Sequence, residues 1–137
     1  FTQRTELNTK KVEFGLSVIS ENQTVQIFRN EKRIRLLGWE VNAQNLLVAV
    51  ENLPKVEIYK LSATAASKLV TTLNNVEFYS LSLSPDGREI AYSANRNGAD
   101  NVFSFTINGK ENQLTDNKDD SILFSGISWS FDGDKIL

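Results

Sequence analysis

Leu83-Ser84-Pro85-Asp86-Gly87-Arg88-Glu89-Ile90 decides the reading of this chain, because it returns later as Trp129-Ser130-Phe131-Asp132-Gly133-Asp134-Lys135-Ile136. The offset is 46 residues, with Ser, Asp, Gly and Ile in register. A weaker copy, Trp39-Glu40-Val41-Asn42-Ala43-Gln44-Asn45-Leu46, lies 44 residues before the first. In it Trp39 falls opposite Leu83, Asn42 opposite Asp86 and Leu46 opposite Ile90, while Val41 replaces Pro and Ala43 replaces Gly. Further on, Val56-Glu57-Ile58-Tyr59-Lys60-Leu61 precedes Val102-Phe103-Ser104-Phe105-Thr106-Ile107 by 46 residues. A period of 40–50 residues holding several strands per unit is the pattern of propeller blades.

The stretches between the repeats read as strands. Apolar residues alternate from Val12 to Val18, and Thr24–Phe28 is short and β-branched. Leu46–Val50 is an uninterrupted apolar run, as expected of a strand covered on both faces. Ile90–Ser93 and Val102–Ile107 follow. Asp86-Gly87, Asp132-Gly133, Asn97-Gly98 and Asn108-Gly109 are hairpin dipeptides, because Gly accepts a positive φ without steric cost. Ala63–Leu73 has some helical spacing but carries three Thr, and it reads as a loop plus an outer strand. The expected fold is all-β, with about three four-stranded antiparallel blades. Residues 1–137 form a single partial propeller domain, with blades near 11–37, 38–79 and 80–126 and another starting at 127–137.

Composition removes much chemistry. The 137 residues contain no Cys, His or Met. That excludes disulfides, thiolate metal sites, Cys nucleophiles, every Ser-His-Asp arrangement and the commonest general base near neutral pH. No P-loop and no GxGxxG occurs. Asp116, Asp119 and Asp120 gather around Lys118, but the spacing and closing Glu of an EF-hand are missing, so they read as a solvated loop. The expectation is a protein without catalytic residues, cofactor or metal.

The net charge is -2, which argues against a nucleic-acid partner. Arg29, Lys32, Arg33 and Arg35 form one basic cluster and read as a solvated turn with its flanking strands. No apolar run approaches the roughly 20 residues of a membrane span. The chain begins at Phe1, and the expectation is that it comes from a longer precursor.

Ser84-Pro85-Asp86-Gly87-Arg88-Glu89-Ile90-Ala91-Tyr92, with Asn95-Arg96-Asn97-Gly98, Asn101-Val102-Phe103 and Gln113-Leu114-Thr115, resembles the TolB-like (WD-repeat-like) propeller repeat. One blade, over residues 80–115, matches closely. The resemblance implies that Ile90, Tyr92, Val102 and Phe105 pack between blades and that Trp39 and Trp129 hold innermost-strand positions. It implies little about function, because such blades serve many proteins. The expected role is a non-catalytic module that binds a protein or peptide. Its contacts would be Arg96, Asn97 and Asp100 on one loop and Asn117, Lys118, Asp119 and Asp120 on another. Two alternatives stay open: an extracytoplasmic sensory domain of a membrane-anchored regulator or receptor kinase, and the gating propeller of a prolyl-oligopeptidase-like peptidase. A bacterial source and a periplasmic or envelope location follow from the resemblance alone. An arc of about three blades leaves apolar faces open, so self-association or further blades are expected to close it.

Overall fold

The computed structural model describes residues 13–20, 23–42, 44–62, 64, 66–107 and 109–137. Residues 11 and 12 of the first expected blade, and Ala43, Ala63 and Asn108, lie outside the described residues.

Among the described residues, ten strands follow one another in three sheets. β1 (Phe14–Ser20) and β2 (Gln23–Asn30) make a two-stranded antiparallel hairpin. β3 (Ile34–Trp39), β4 (Asn45–Asn52), β5 (Lys55–Ser62) and β6 (Ser67–Asn74) form a four-stranded antiparallel meander. β7 (Ser82–Leu83), β8 (Glu89–Arg96), β9 (Ala99–Thr106) and β10 (Glu111–Gln113) form a second. A further hairpin opens at the bridge between Trp129 and Ile136. The first unit is therefore two-stranded among the described residues, where four strands were expected. Ile34–Leu37 belong to the first meander, although the expected division at 38 left them in the preceding blade. β6 is the outer strand expected within 63–73.

Burial explains the strand patterns. Leu47, Val48, Ala49 and Val50 on β4 are at most 1% exposed, because that strand is covered on both faces. Side chains alternate across a strand, so Ala49 faces one way and Leu46 and Val48 the other. Ala49, Val56, Ile58 and Leu73 pack against Ile90, Tyr92, Phe103 and Phe105 of the next sheet. Leu46, Val48 and Leu61 pack against Ile27, with Leu16 and Phe28 beside them. On the far side of the second sheet, Ala91 and Val102 meet Ile127, with Phe124, Trp129 and Ile136 alongside. Ile90, Tyr92, Val102 and Phe105 all sit in seams between units, as the resemblance implied.

The repeated turn is closed the same way each time. Ser84 N donates to Glu89 O at 2.8 Å, Ser130 N to Lys135 O at 2.8 Å and Glu40 N to Asn45 O at 2.9 Å. Ser84 Oγ donates to Asp86 Oδ1 at 2.6 Å and accepts from Glu89 N at 2.9 Å. Ser130 repeats both bonds, to Asp132 at 2.6 Å and from Lys135 N at 2.9 Å. In the degenerate copy Glu40 takes the place of Ser, pairing with Lys60 and accepting from Asn45 Nδ2 at 2.8 Å.

Trp129 Nε1 donates to Ser82 O at 3.0 Å and so ties one innermost strand to the next. Trp39 ends β3, the innermost strand of the first meander, but is 54% exposed. Its side chain lines a small apolar groove with Val18, Val25 and Leu61 instead of being enclosed.

Gly87 lies where two turns touch. Its φ is +70°, and a Cβ there would stand 2.5 Å from Trp39 O and 2.7 Å from Val41 N. Gly98 has φ +84° with nothing within 4 Å of a Cβ. Gly98→Ala therefore measures backbone strain alone, about 1 kcal/mol. Gly87→Ala adds a collision with the neighbouring backbone, and its cost is expected to reach roughly 2–4 kcal/mol. Urea unfolding of both variants checks the ranking.

Candidate functional site

The two loops singled out in the sequence come together on one rim. The β8–β9 hairpin turns at Asn97 (φ 55°) and Gly98 (φ 84°), positive φ values at both central residues, as an Asn-Gly turn provides. The segment after β10 folds back beside the turn end of this hairpin. Thr115 Oγ1 donates to Asn101 Oδ1 at 2.9 Å and accepts from Val102 N at 2.9 Å. Asn117 N donates to Asn101 Oδ1 at 2.7 Å, and Asn101 Nδ2 returns a bond to Asn117 O at 3.0 Å. Asn117 Nδ2 donates to Asp100 O at 3.0 Å. The result is a cleft of about 350 Å3 lined by residues of both loops, among them Arg96, Asn97, Gln113, Asp116, Asn117 and Lys118.

The seven expected contacts divide into scaffold and surface. Asp100 departs from the expectation. It lies in β9, is 7% exposed, and its Oδ2 accepts from Phe124 N at 2.7 Å, so it anchors the return segment. Asn117 is also spent on the backbone, bridging Asp100 O and Asp119 O. Asp119 caps the next turn, accepting from Ser121 N and Oγ at 2.9 and 2.6 Å. Those bonds hold its carboxyl below the usual carboxylate range. Asn97, Lys118 and Asp120 remain at the surface. Lys118 Nζ stands 3.3 Å from Asp116, and both are about four-fifths exposed, so the pair is weakly held.

Arg96 is the last residue of β8 rather than part of the loop. Its two guanidinium nitrogens grip Glu111 at 2.5 and 2.7 Å, and its Cζ lies 4.1 Å from the centre of the Phe103 ring. Tyr92 also donates to Glu111. The bond from Arg96, and then that from Tyr92, hold the Glu111 carboxyl below its ordinary value against the opposing effect of burial. Burial first, then the Glu111 carboxylate, push the Tyr92 phenol well up. Nothing in the sequence separation of 15 residues marked Glu111 as the partner of Arg96, because the pair forms only when β10 lies beside β9.

The basic cluster of the sequence is dispersed. Arg35 Nη1 donates to Phe78 O and Tyr79 O at 3.2 and 2.6 Å, holding the 3-10 turn Phe78–Ser80 that leads into β7. Lys32 donates to Asn52 at 2.6 Å, and Arg33 lies 3.7 Å from Glu51. Arg29 pairs with Gln26 and stands 3.9 Å from Glu13. Among the described residues no three His, Cys, Asp or Glu come together in a way that could hold a metal ion. No helix there is long and apolar enough to cross a membrane.

No family model and no curated protein matches the sequence. Solved structures do match. TolB from Acinetobacter baumannii superposes with a TM-score of 0.65 at 17% identity, over 89% of this chain and 31% of that one. The chain has a TolB-like β-propeller fold. A second TolB-like neighbour, described as a putative TolB from Agrobacterium tumefaciens, gives 0.52 at 16% identity, over 69% of this chain and 34% of that one. An oligogalacturonate lyase in complex with manganese gives 0.56 at 15% identity, over 84% and 34%. The chain thus spans about a third of the length of each of these structures. At such identities the likeness concerns the TolB-like fold alone, since TolB structures and an oligogalacturonate lyase share it.

The Arg96–Glu111 bond is a partly exposed tie across the second meander. Glu111→Gln is expected to lower stability by about 1 kcal/mol at pH 7, discounted for solvent screening. A carboxyl held low in the folded state stabilises the fold above its unfolded value, and that contribution is lost as pH falls through the folded value. The gap between parent and variant in urea unfolding should therefore be full near pH 7 and shrink below about pH 4.

Proposed function

We propose that the chain is a portion of a TolB-like propeller that binds a protein or peptide partner and catalyses no reaction itself. The observation that supports this reading is the joint cleft. Two loops 20 residues apart in sequence are locked together by the Asn101–Thr115–Asn117 bonds, so the rim offers a pre-formed concave surface. A surface ordered before binding loses less conformational entropy on association. Asn97 and Lys118 in the cleft, with Asp120 exposed further along the second loop, are the residues left for a partner. An envelope location, which the TolB resemblance implies, belongs to the same proposal.

The same proposal includes closure of the arc, by further blades or by self-association. Ile19 at one side is 79% exposed, while Leu123, Phe131 and Leu137 at the other are 76%, 99% and 80% exposed. Exposed apolar side chains at the two outer units are what a covering blade would bury.

Panning a random peptide library on the immobilised chain tests the binding role. Peptides recovered by the parent are expected to bind at least 10-fold more weakly to the triple variant Asn97→Gly, Lys118→Ala and Asp120→Ala, with circular dichroism and thermal midpoint unchanged. Equal binding by the triple variant, or no enrichment on the parent, would sink the reading.

A further inference from the structure

The lining of the rim cleft is unusual in what it holds. Of the nine described residues that line it, four carry primary amides: Asn97, Asn101, Gln113 and Asn117. Two of these are structural. Asn101 and Asn117 bond each other and the return segment, as described above. The other two keep capacity in reserve. Asn97 makes no side-chain hydrogen bond among the described residues, and its positive φ places it at the tip of the hairpin. Gln113 Nε2 donates to Thr115 O at 2.7 Å, which fixes the side chain and leaves its Oε1 as an acceptor.

Charge does not dominate the cleft. Among the described residues of the lining, Arg96 is bound at two points by Glu111, while Lys118 has Asp116 beside it in a weakly held, exposed pair. Arg96 is spread over the Phe103 ring, so the guanidinium presents a flat, already paired surface. No acidic or basic ligand is singled out by these paired groups. A primary amide offers both an N–H donor and a C=O acceptor, the same pair of groups that a peptide bond offers. Amides at two places along a cleft therefore match the alternating N–H and C=O groups of an extended main chain, much as a sheet edge does.

We propose that this cleft reads the main chain of an extended peptide through Asn97 and Gln113, with little demand on the peptide's side-chain charge. The inference rests on the peptide-binding reading above and names the ligand chemistry of that site. Recognition of main chain rather than side chain predicts tolerance of sequence: peptides of opposite charge compete for the same cleft.

The test uses the whole chain and the best-binding peptide from library panning, with affinities read by fluorescence anisotropy. Each peptide position is replaced in turn by Ala and, separately, N-methylated. N-methylation removes one N–H and leaves the side chain in place. Loss of at least 10-fold at two or more N-methylated positions is expected, with the corresponding Ala replacements within about 3-fold. Asn97→Gly, which tolerates the positive φ and removes the amide together with its methylene, is expected to weaken binding at least 5-fold and to flatten the N-methylation profile at one of those positions. If Ala replacements abolish binding while N-methylation is tolerated, or if Asn97→Gly leaves affinity and profile unchanged, the main-chain inference falls and the peptide-binding reading stands. If panning yields no peptide at all, both fall.

Discussion

Leu47, Val48, Ala49 and Val50 form a strand with no exposed face, and the rest of the structure is arranged to cover it. A single sheet hides one face of such a strand only if another layer lies against it, and hiding both requires a layer on each side. The β1–β2 hairpin covers one face and the β7–β10 sheet the other. The second sheet meets the same demand: its own far face, at Ala91 and Val102, is covered by Ile127 and the segment around Trp129. Burial of apolar surface, at roughly 25 cal/mol per Å2, thus drives a row of stacked sheets rather than a two-layer sandwich.

The repeated turn keeps the same backbone closure in each copy. Ser84 and Ser130 each close their turn through the Asp two residues later, and each leaves the following Gly free for a positive φ. At Gly87 the absent side chain lets the turn rest directly on the backbone of Trp39–Val41. The degenerate copy keeps the backbone bond between Glu40 and Asn45 but closes with a Glu–Lys pair instead of Ser and Asp. The geometry of the turn is thus preserved with different side-chain chemistry.

The rim cleft grows out of the same organisation. β8 and β9 are long and regular, so their Asn97-Gly98 turn projects beyond the sheet, and β10 is only three residues long, so the chain is released early to fold back. Asn101, a buried polar residue on β9, then organises the returning loop. Its amide is satisfied within the fold, as a buried polar group must be, and in being satisfied it shapes the surface beside it.

The sequence by itself determined the class of fold. The 46-residue repeat, the Asp-Gly turns and the doubly covered run at Leu46–Val50 are local or periodic signals, and each survived in the structure because each is set by backbone conformation or by side-chain alternation. The loops near Asn97 and Lys118 were also legible, as polar stretches that no strand required. Which of their residues face solvent was decided only by tertiary structure. Asp100 and Asp119 are both loop-adjacent carboxylates in the sequence, yet one is buried to hold Phe124 and the other caps an exposed turn. Arg96 was legible as a charge, but its bond to Glu111 and its place over Phe103 depend on β10 pairing with β9. The two-stranded state of the first unit and the exposure of Trp39 likewise depend on what packs beside them. Propensity and period act over a few residues, whereas the partner of a long polar side chain is chosen by whatever strand the fold brings alongside.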